Sequence, residues 1–361
     1  MQEKITIFAL KASMSDFSFA LEKWYKENGR LLPWRNSPTP YQVWLSEVML
    51  QQTRVEAVKG YFDRFLKRYP TLRSLASSSL DEVNKLWEGL GYYSRARNLR
   101  SGAQKVMNDF RGELPATQKE LLTIPGIGEY TSKAILAIAF HQQYIAVDGN
   151  LIRVYSRLEE SPLEAKSLEI KEKASAYFFH RMDIDPSVFN QALMDLGELV
   201  CLPKGTPLCK NCPLRSYCKA SASNKATLYP LVSPKKEKKE ISLTVFVVSY
   251  QNSILIQKRP SNGLLASLFE LPNVERTMDA ADVALYFSLL GHHVSSTRYL
   301  GEKTHVFTHL KWKMKGFYVE VEEALPNELF VNEAELNRSY SLPSAFRHFE
   351  KDFFNHYDLD K

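Results

Sequence analysis

What most constrains the fold of this chain is a change of hydrophobic period partway along it. From Asp16 to about residue 200, apolar residues recur at helical spacing in stretches separated by short Gly, Pro or Ser breaks. The stretches cover 16–28, 40–53, 55–68, 79–88, 95–110, 117–123, 130–140, 149–158 and 187–200. A polar, basic run from 219 to 240, ending in VSPKKEKKE, then reads as an exposed linker. Beyond it the period falls to 2: ISLTVFVVSY, a Gln251-Asn252 turn and SILIQKR form a hairpin. A further strand runs from about Trp312 to Glu320, and the tail from Pro343 to Phe354 is helical again. Period 3.6 and period 2 bury different faces, so the chain reads as an all-α domain followed by an α+β domain. The expected boundaries are an N-terminal extension over 1–14, helical domain 15–220, linker 221–240 and second domain 241–361.

Apolar residues make up 44% and charged residues 24% of the 361, which excludes wholesale disorder and suits two domains. The formal charge of +6 is compatible with a nucleic-acid partner without requiring one. No apolar run approaches the ~20 residues of a membrane-spanning helix. The patch Ile5–Leu10 is ended at once by Lys11 and lacks the form of a secretory signal. The expectation is a cytosolic protein with no membrane partner, nucleoid-associated if bacterial.

All four cysteines, Cys201, Cys209, Cys212 and Cys218, fall in one short segment with spacing C-x7-C-x2-C-x5-C. Clustered thiols point to a metal centre rather than a disulfide framework. Four thiolates suit either a tetrahedral zinc ion or a [4Fe–4S] cube, and spacing alone leaves both open. Lys204, Lys210, Arg215 and Lys219 decorate the same loop and suit phosphate contacts.

The segment LLTIPGIGEYTSKAILAIAF places Gly126 and Gly128 in a turn before an almost wholly apolar helix. Glycines there permit positive φ and bring backbone N–H groups close to an outside anion, while the helix dipole adds positive potential. A packed helical turn with no ligand is the alternative. Twenty residues after Gly128, Asp148 begins a helix in AVDGNLIRVYSRL, as a plain N-cap, a functional carboxylate, or both. A second acid, Glu47, has Val43 at i−4, Trp44 at i−3 and Leu50 at i+3, so it lies on the apolar face of its helix. Burial there raises a carboxyl pKa. Two carboxylates in contrasting environments are able to divide acid and electrostatic roles.

The glycine hairpin followed at this spacing by VDGN resembles the helix–hairpin–helix DNA glycosylase superfamily. SEVMLQQT matches, letter for letter, the catalytic helix of its MutY-type adenine glycosylases. The cysteine segment after NQALMDLGELVC resembles the iron–sulfur loop of that superfamily, although its first gap holds seven residues where six is usual. The resemblance implies a [4Fe–4S] cluster on the four cysteines, structural and DNA-binding in role. In the bifunctional lyases a nucleophilic lysine lies two residues after the last hairpin glycine; here that position is Tyr130, which implies hydrolysis by water. Lys133 reads as a surface or phosphate residue. By the same resemblance Glu47 protonates N7 of adenine, and Asp148, assisted by Tyr130 and Asn150, stabilises the oxocarbenium-like sugar. Trp34, Arg35, Leu50 and Gln191 are expected to line the adenine site.

A base turned out of the stack leaves a gap to fill. WEGLGYYSRARN resembles the family's wedge segment, with Tyr92 inserting and Leu90 adjacent; Arg95 and Arg97 are available for the backbone, and Gln52 and Thr53 face the bases. A helix cap at Gly89-Leu90-Gly91 with exposed arginines is the bland alternative. GLLASLFELPN resembles the Nudix-like C-terminal domain of the MutY type, while VERTMDAADVALYFSLLG lacks the carboxylate pattern of an active magnesium hydrolase. Phe307-Thr308-His309 is similar to that family's 8-oxoguanine-recognition FSH loop, with Thr for Ser. The implied partner is duplex DNA carrying 8-oxoguanine:A or G:A mispairs, bound by a monomer. The rivals are an endonuclease III-like lyase for oxidised pyrimidines and a non-catalytic lesion-binding iron–sulfur protein.

Overall fold

A computed structural model describes residues 16–234 and 237–357. The extension read at 1–14 lies outside the described residues. The chain divides into two compact units, the first comprising residues up to Ser77 and Ser101–Pro234, the second Ser78–Arg100 and Lys235–Lys361. Residues 78–100 thus group with the C-terminal unit although they sit, in sequence, inside the helical part.

The first unit holds α1 (16–28), α2 (Pro40–Leu50), α3 (Val55–Arg68) and α4 (Leu72–Ala76). In the second unit α5 (Leu80–Leu86) comes next, and α6 (Ser94–Asp109) spans the return to the first. The first unit continues with α7 (Gln118–Leu121), α8 (Glu129–Ala139), α9 (Gly149–Glu159), α10 (Leu168–Phe179), α11 (Pro186–Leu199) and α12 (Lys219–Ala222). Local chemistry starts these helices. Thr39 and Gln42 form a reciprocal capping box with Pro40 at the first position of α2, and Asp185 caps α11 ahead of Pro186. α2 packs on α8, and α11 packs on both α8 and α9. Trp44, Phe62, Phe65, Phe178 and Phe189 are buried in the unit. At Gly197 a Cβ would come within 2.6 Å of Asn150 Cβ, so a glycine is what lets α11 approach the start of α9. The stretch beyond 220 does not hang free: Ala226 is buried, the Tyr229 carbonyl accepts from Arg157, and Leu231 bridges to Glu164.

The second unit is built on a mixed sheet of order β3-β2-β1-β6-β5, comprising β1 (Lys239–Tyr250), β2 (Ser253–Lys258), β3 (Phe269–Glu270), β5 (Val294–Val306) and β6 (Leu310–Val321). β4 (Asn273–Val274) pairs with β1, and β7 (Leu329–Val331) with β2. β1 and β6 run parallel, and β5 returns antiparallel to β6. Both faces are covered, which is why β1 reads as a nearly continuous apolar run. Leu243, Val245 and Val247 pack with Phe346, Phe349 and Phe353 of α15 (Ser344–Tyr357). Phe246 and Val248 pack on the other side with Val283 and Phe287 of α13 (Ala280–Leu289). α14 (Glu333–Ser339) packs against α5.

Candidate active site

Glu47 lies in the middle of α2, flanked by the buried Ser46 and Val48 and 7% exposed. Its Oε2 accepts a hydrogen bond of 2.6 Å from the Tyr130 hydroxyl. Burial raises the Glu47 pKa to about 7, reinforced by the charge of Asp148 and opposed by the Tyr130 hydrogen bond and Arg35. A carboxyl with that pKa holds its proton at neutrality far more readily than an ordinary glutamate.

Tyr130 is in the first turn of α8, just after the glycine hairpin. Its phenol is pushed well above its usual range by burial and by the two neighbouring carboxylates, so it stays a hydroxyl donor. The hairpin turns at Gly126, with φ of +84°. Gly128, expected to need the same freedom, has an extended backbone (φ −102°) and caps α8. A Cβ there would meet nothing within 4 Å, so the hairpin's tip faces open space.

Asp148 is the N-cap of α9: Oδ1 accepts from the Leu151 amide at 2.8 Å, and Oδ2 from Asn150 Nδ2 at 2.9 Å. Burial raises its pKa, while these donors and Arg153 favour the charged form. Capping and site roles therefore coincide in one side chain. Asn150 is oriented in turn, its Oδ1 accepting from Arg153 Nη2 at 2.7 Å. Arg153 is itself tied to the carbonyls of Gly197 and Cys201.

Glu47, Tyr130, Asp148 and Asn150 line one cavity of about 480 Å³. Trp34, Arg35, Leu50, Gln191, Gln52 and Thr53 line the same cavity. The volume lies within the range of small-molecule sites. Trp34 is both wall and core, buried and edge-on to Phe62 with centroids 5.2 Å apart. Gln191 is held by Ser187, whose Oγ accepts from Nε2 at 2.8 Å.

Arg35 lines the cavity as expected, but its guanidinium is already engaged. It makes a two-pronged pair with the fully buried Asp195, Nη1 to Oδ2 at 2.5 Å and Nη2 to Oδ1 at 2.8 Å. Arg30 shares the same carboxylate through its amide and Nε. Burial alone would raise the Asp195 pKa, but Arg35 and Arg30 outweigh it and hold the carboxyl below its usual range. Asp195 and Arg30 were not singled out from sequence. Asp195 sits one helical turn after Gln191, and that spacing was the signal to follow. Glu198, another cavity-lining residue, was missed as well.

The four cysteines line a single cavity between α9, the end of α11 and their own loop. None is in a disulfide. Burial and mutual repulsion among the four sulfurs raise the Cys212 thiol to about 12. Arg157 Nη1 donates to Cys201 Sγ at 3.1 Å. Among the described residues, no three His, Cys, Asp or Glu side chains form a group suited to holding a metal ion.

The expected wedge and recognition residues belong to the second unit. Gly89 and Gly91 take positive φ (+96° and +72°), and Tyr92 follows at +47°. Tyr92 is 45% exposed, whereas Leu90 is buried. Arg95 is not available to a phosphate backbone: it is buried and donates to the carbonyls of Leu90 and Gly91, bracing the turn from inside. Arg97 likewise donates to the Ala266 carbonyl at 2.8 Å. Phe307 packs on Trp312 and His305, leaving Thr308 and His309 as the exposed members of their loop. Lys133 lies 3.6 Å from Glu129.

Residues 45–178 match the profile of the HhH-GPD superfamily base excision DNA repair protein, and residues 244–351 match a NUDIX domain. The chain is 32% identical to the adenine DNA glycosylase of Mus musculus over 88% of its length and 73% of that protein. It is 35% identical to the adenine DNA glycosylase of Buchnera aphidicola (subspecies Baizongia pistaciae), over 83% of this chain and 85% of that one. A solved thermostable thymine-DNA glycosylase superposes with a TM-score of 0.53 at 26% identity, covering 60% of this chain and 99% of the other. With a protonated-range glutamate and a capping aspartate on one cavity, and with these relatives, the chain belongs to the adenine DNA glycosylases, base excision repair hydrolases of the helix–hairpin–helix superfamily.

Proposed function

We propose that the enzyme removes adenine paired with 8-oxoguanine, and with guanine, in duplex DNA. The observation that carries the mechanism is the Glu47 carboxyl, raised to about 7 on the cavity wall beside Tyr130 and Asp148. With adenine extruded into the cavity, Glu47 gives its proton to N7, and the electron pair of the C1′–N9 bond leaves with the base. Asp148, its charged form supported by the Leu151 amide and Asn150, faces the cationic sugar that remains. Water adds at C1′, its proton passing to a carboxylate, and an abasic site results. Tyr130 stands where a lyase would need an amine, and a phenol held far above neutrality does not replace water as nucleophile.

Specificity for the opposite base falls to the second unit, where Thr308 and His309 are exposed and Thr308 offers a hydroxyl donor and acceptor. Four cysteines lining one cavity suit a [4Fe–4S] cluster by their number and donor chemistry, and Cys201, Cys209, Cys212 and Cys218 would hold it. When bound, such a cluster would order the loop that carries Lys204, Lys210 and Arg215 toward DNA phosphates. The enzyme acts as a monomer in the cytosol. A single-turnover assay comparing 8-oxoguanine:A, G:A and C:A duplexes tests this reading, which requires abasic product fastest from the first. Equal rates on all three would refute the specificity.

A further inference from the structure

Glu88 takes no part in the cavity, yet its carboxylate beside the wedge turn accepts from three donors. Oε1 accepts from Arg347 Nη2 at 2.6 Å and from the Leu342 amide at 3.1 Å, and Oε2 accepts from Lys85 Nζ at 2.6 Å. Lys85 also donates to the Tyr340 carbonyl at 3.0 Å. The Glu88 and Arg347 side chains are about one-fifth exposed, so the pair is largely sheltered from solvent screening. These bonds tie the end of α5 to α15 and to the loop before it, within the one compact unit that contains both segments. The next residue begins the left-handed turn that presents Tyr92. At the far side of that turn, the Tyr92 hydroxyl lies 2.8 Å from Thr308 Oγ1.

We propose that Glu88 is a positioning residue for substrate selection: its pair with Arg347 sets the Gly89–Tyr92 turn in register with the Thr308 loop, so that wedge and lesion reader act as one element. The inference rests on the proposed recognition of 8-oxoguanine by that loop. An anchor one residue before a turn of three positive-φ residues fixes where the turn starts, while Arg95 braces its interior. Loss of the anchor lets Tyr92 and Thr308 drift apart, and leaves the cavity around Glu47 untouched because no cavity-lining residue belongs to this unit.

The test measures single-turnover rates on 8-oxoguanine:A and G:A duplexes with the full-length holoenzyme. Wild type is read first: absence of a preference for 8-oxoguanine:A overturns the recognition reading itself. With the preference present, Glu88→Ala is expected to cut the ratio of the two rates about tenfold or more, with the G:A rate kept within about threefold. Arg347→Ala, which removes the partner but keeps the Lys85 and Leu342 bonds to Glu88, is expected to lower the ratio as well, with the G:A rate again within about threefold. Arg347→Lys keeps the charge but loses the fork, and is read in place of Glu88→Ala should that variant not fold; it too is expected to lower the ratio. An unchanged ratio in the folded variants, or equal loss on both substrates, overturns the proposal.

Discussion

The Tyr130 hydroxyl donates to Oε2 of Glu47 across 2.6 Å, linking α8 just after the glycine hairpin to the middle of α2. The bond stabilises the charged carboxylate, yet burial wins and the Glu47 pKa rises to about 7. An acid that must hold a proton but also release it to a weak base is best placed near the working pH.

Base release is expected to fall as pH rises through about 7, by about tenfold per unit on the alkaline limb, because only protonated Glu47 donates. Single-turnover rates from pH 5.5 to 9 check this. A profile flat to pH 9 would remove Glu47 as the acid.

The same shift bears on stability. The folded-state pKa of Glu47 lies above its unfolded value of 4.5, so the native state binds more protons between those values and loses stability as pH rises from about 4.5 to about 7. Glu47→Gln removes the ionisation. It is expected to be more stable than wild type at pH 8 by about 1–3 kcal/mol, with the gain vanishing by pH 4.5. Thermal melts at the two pH values decide it; a gain independent of pH would contradict the linkage.

Asp148→Asn is expected to abolish turnover while the protein still folds, since asparagine also caps a helix. Lesion-duplex binding by gel shift should stay within about fivefold of wild type. Near-normal turnover would contradict a role for the Asp148 charge in supporting the sugar cation.

Removing Asp195 leaves Arg30 and Arg35 without the carboxylate they share. Asp195→Ala is expected to cost about 3–5 kcal/mol, the usual range for breaking a buried pair from one side. Denaturant unfolding measures it, and a loss under about 1 kcal/mol would show the cluster to be solvated.

Thr308→Ala with His309→Ala should reduce the preference for 8-oxoguanine:A over G:A more than it slows G:A itself. Competition between the two duplexes in one tube reads the ratio directly. Equal losses would mean the loop serves binding alone.

The helices that carry the cavity were legible because each buries one stripe against a core, and Glu47 was identifiable from three apolar neighbours on its own helix. Asp148 was legible as a cap, a purely local property. Long-range pairings were not. Asp195 looks like an ordinary helix aspartate until Arg30 and Arg35, some 160 residues away, are brought to it. Arg95 and Arg97 look like backbone-binding cations, but tertiary packing turns both inward onto carbonyls. β5 escaped notice because VSSTRYLGEKTHV is a mostly exposed edge strand with little apolar alternation, defined by its ladder with β6. α10 likewise shows a weak apolar stripe, with only Ile170, Ala174 and Phe178 buried. Grouping of residues 78–100 with the C-terminal unit depends on contacts such as Glu88–Arg347 that no local pattern announces.

The most direct measurement is release of free adenine from an 8-oxoguanine:A duplex under single turnover, for wild type and Glu47→Gln, with borohydride present in a parallel reaction. The account predicts an abasic product and no covalent capture for wild type, and a rate lower by about 10²–10⁴-fold for the variant. Undiminished release by Glu47→Gln, or efficient trapping of the enzyme on DNA, would contradict it.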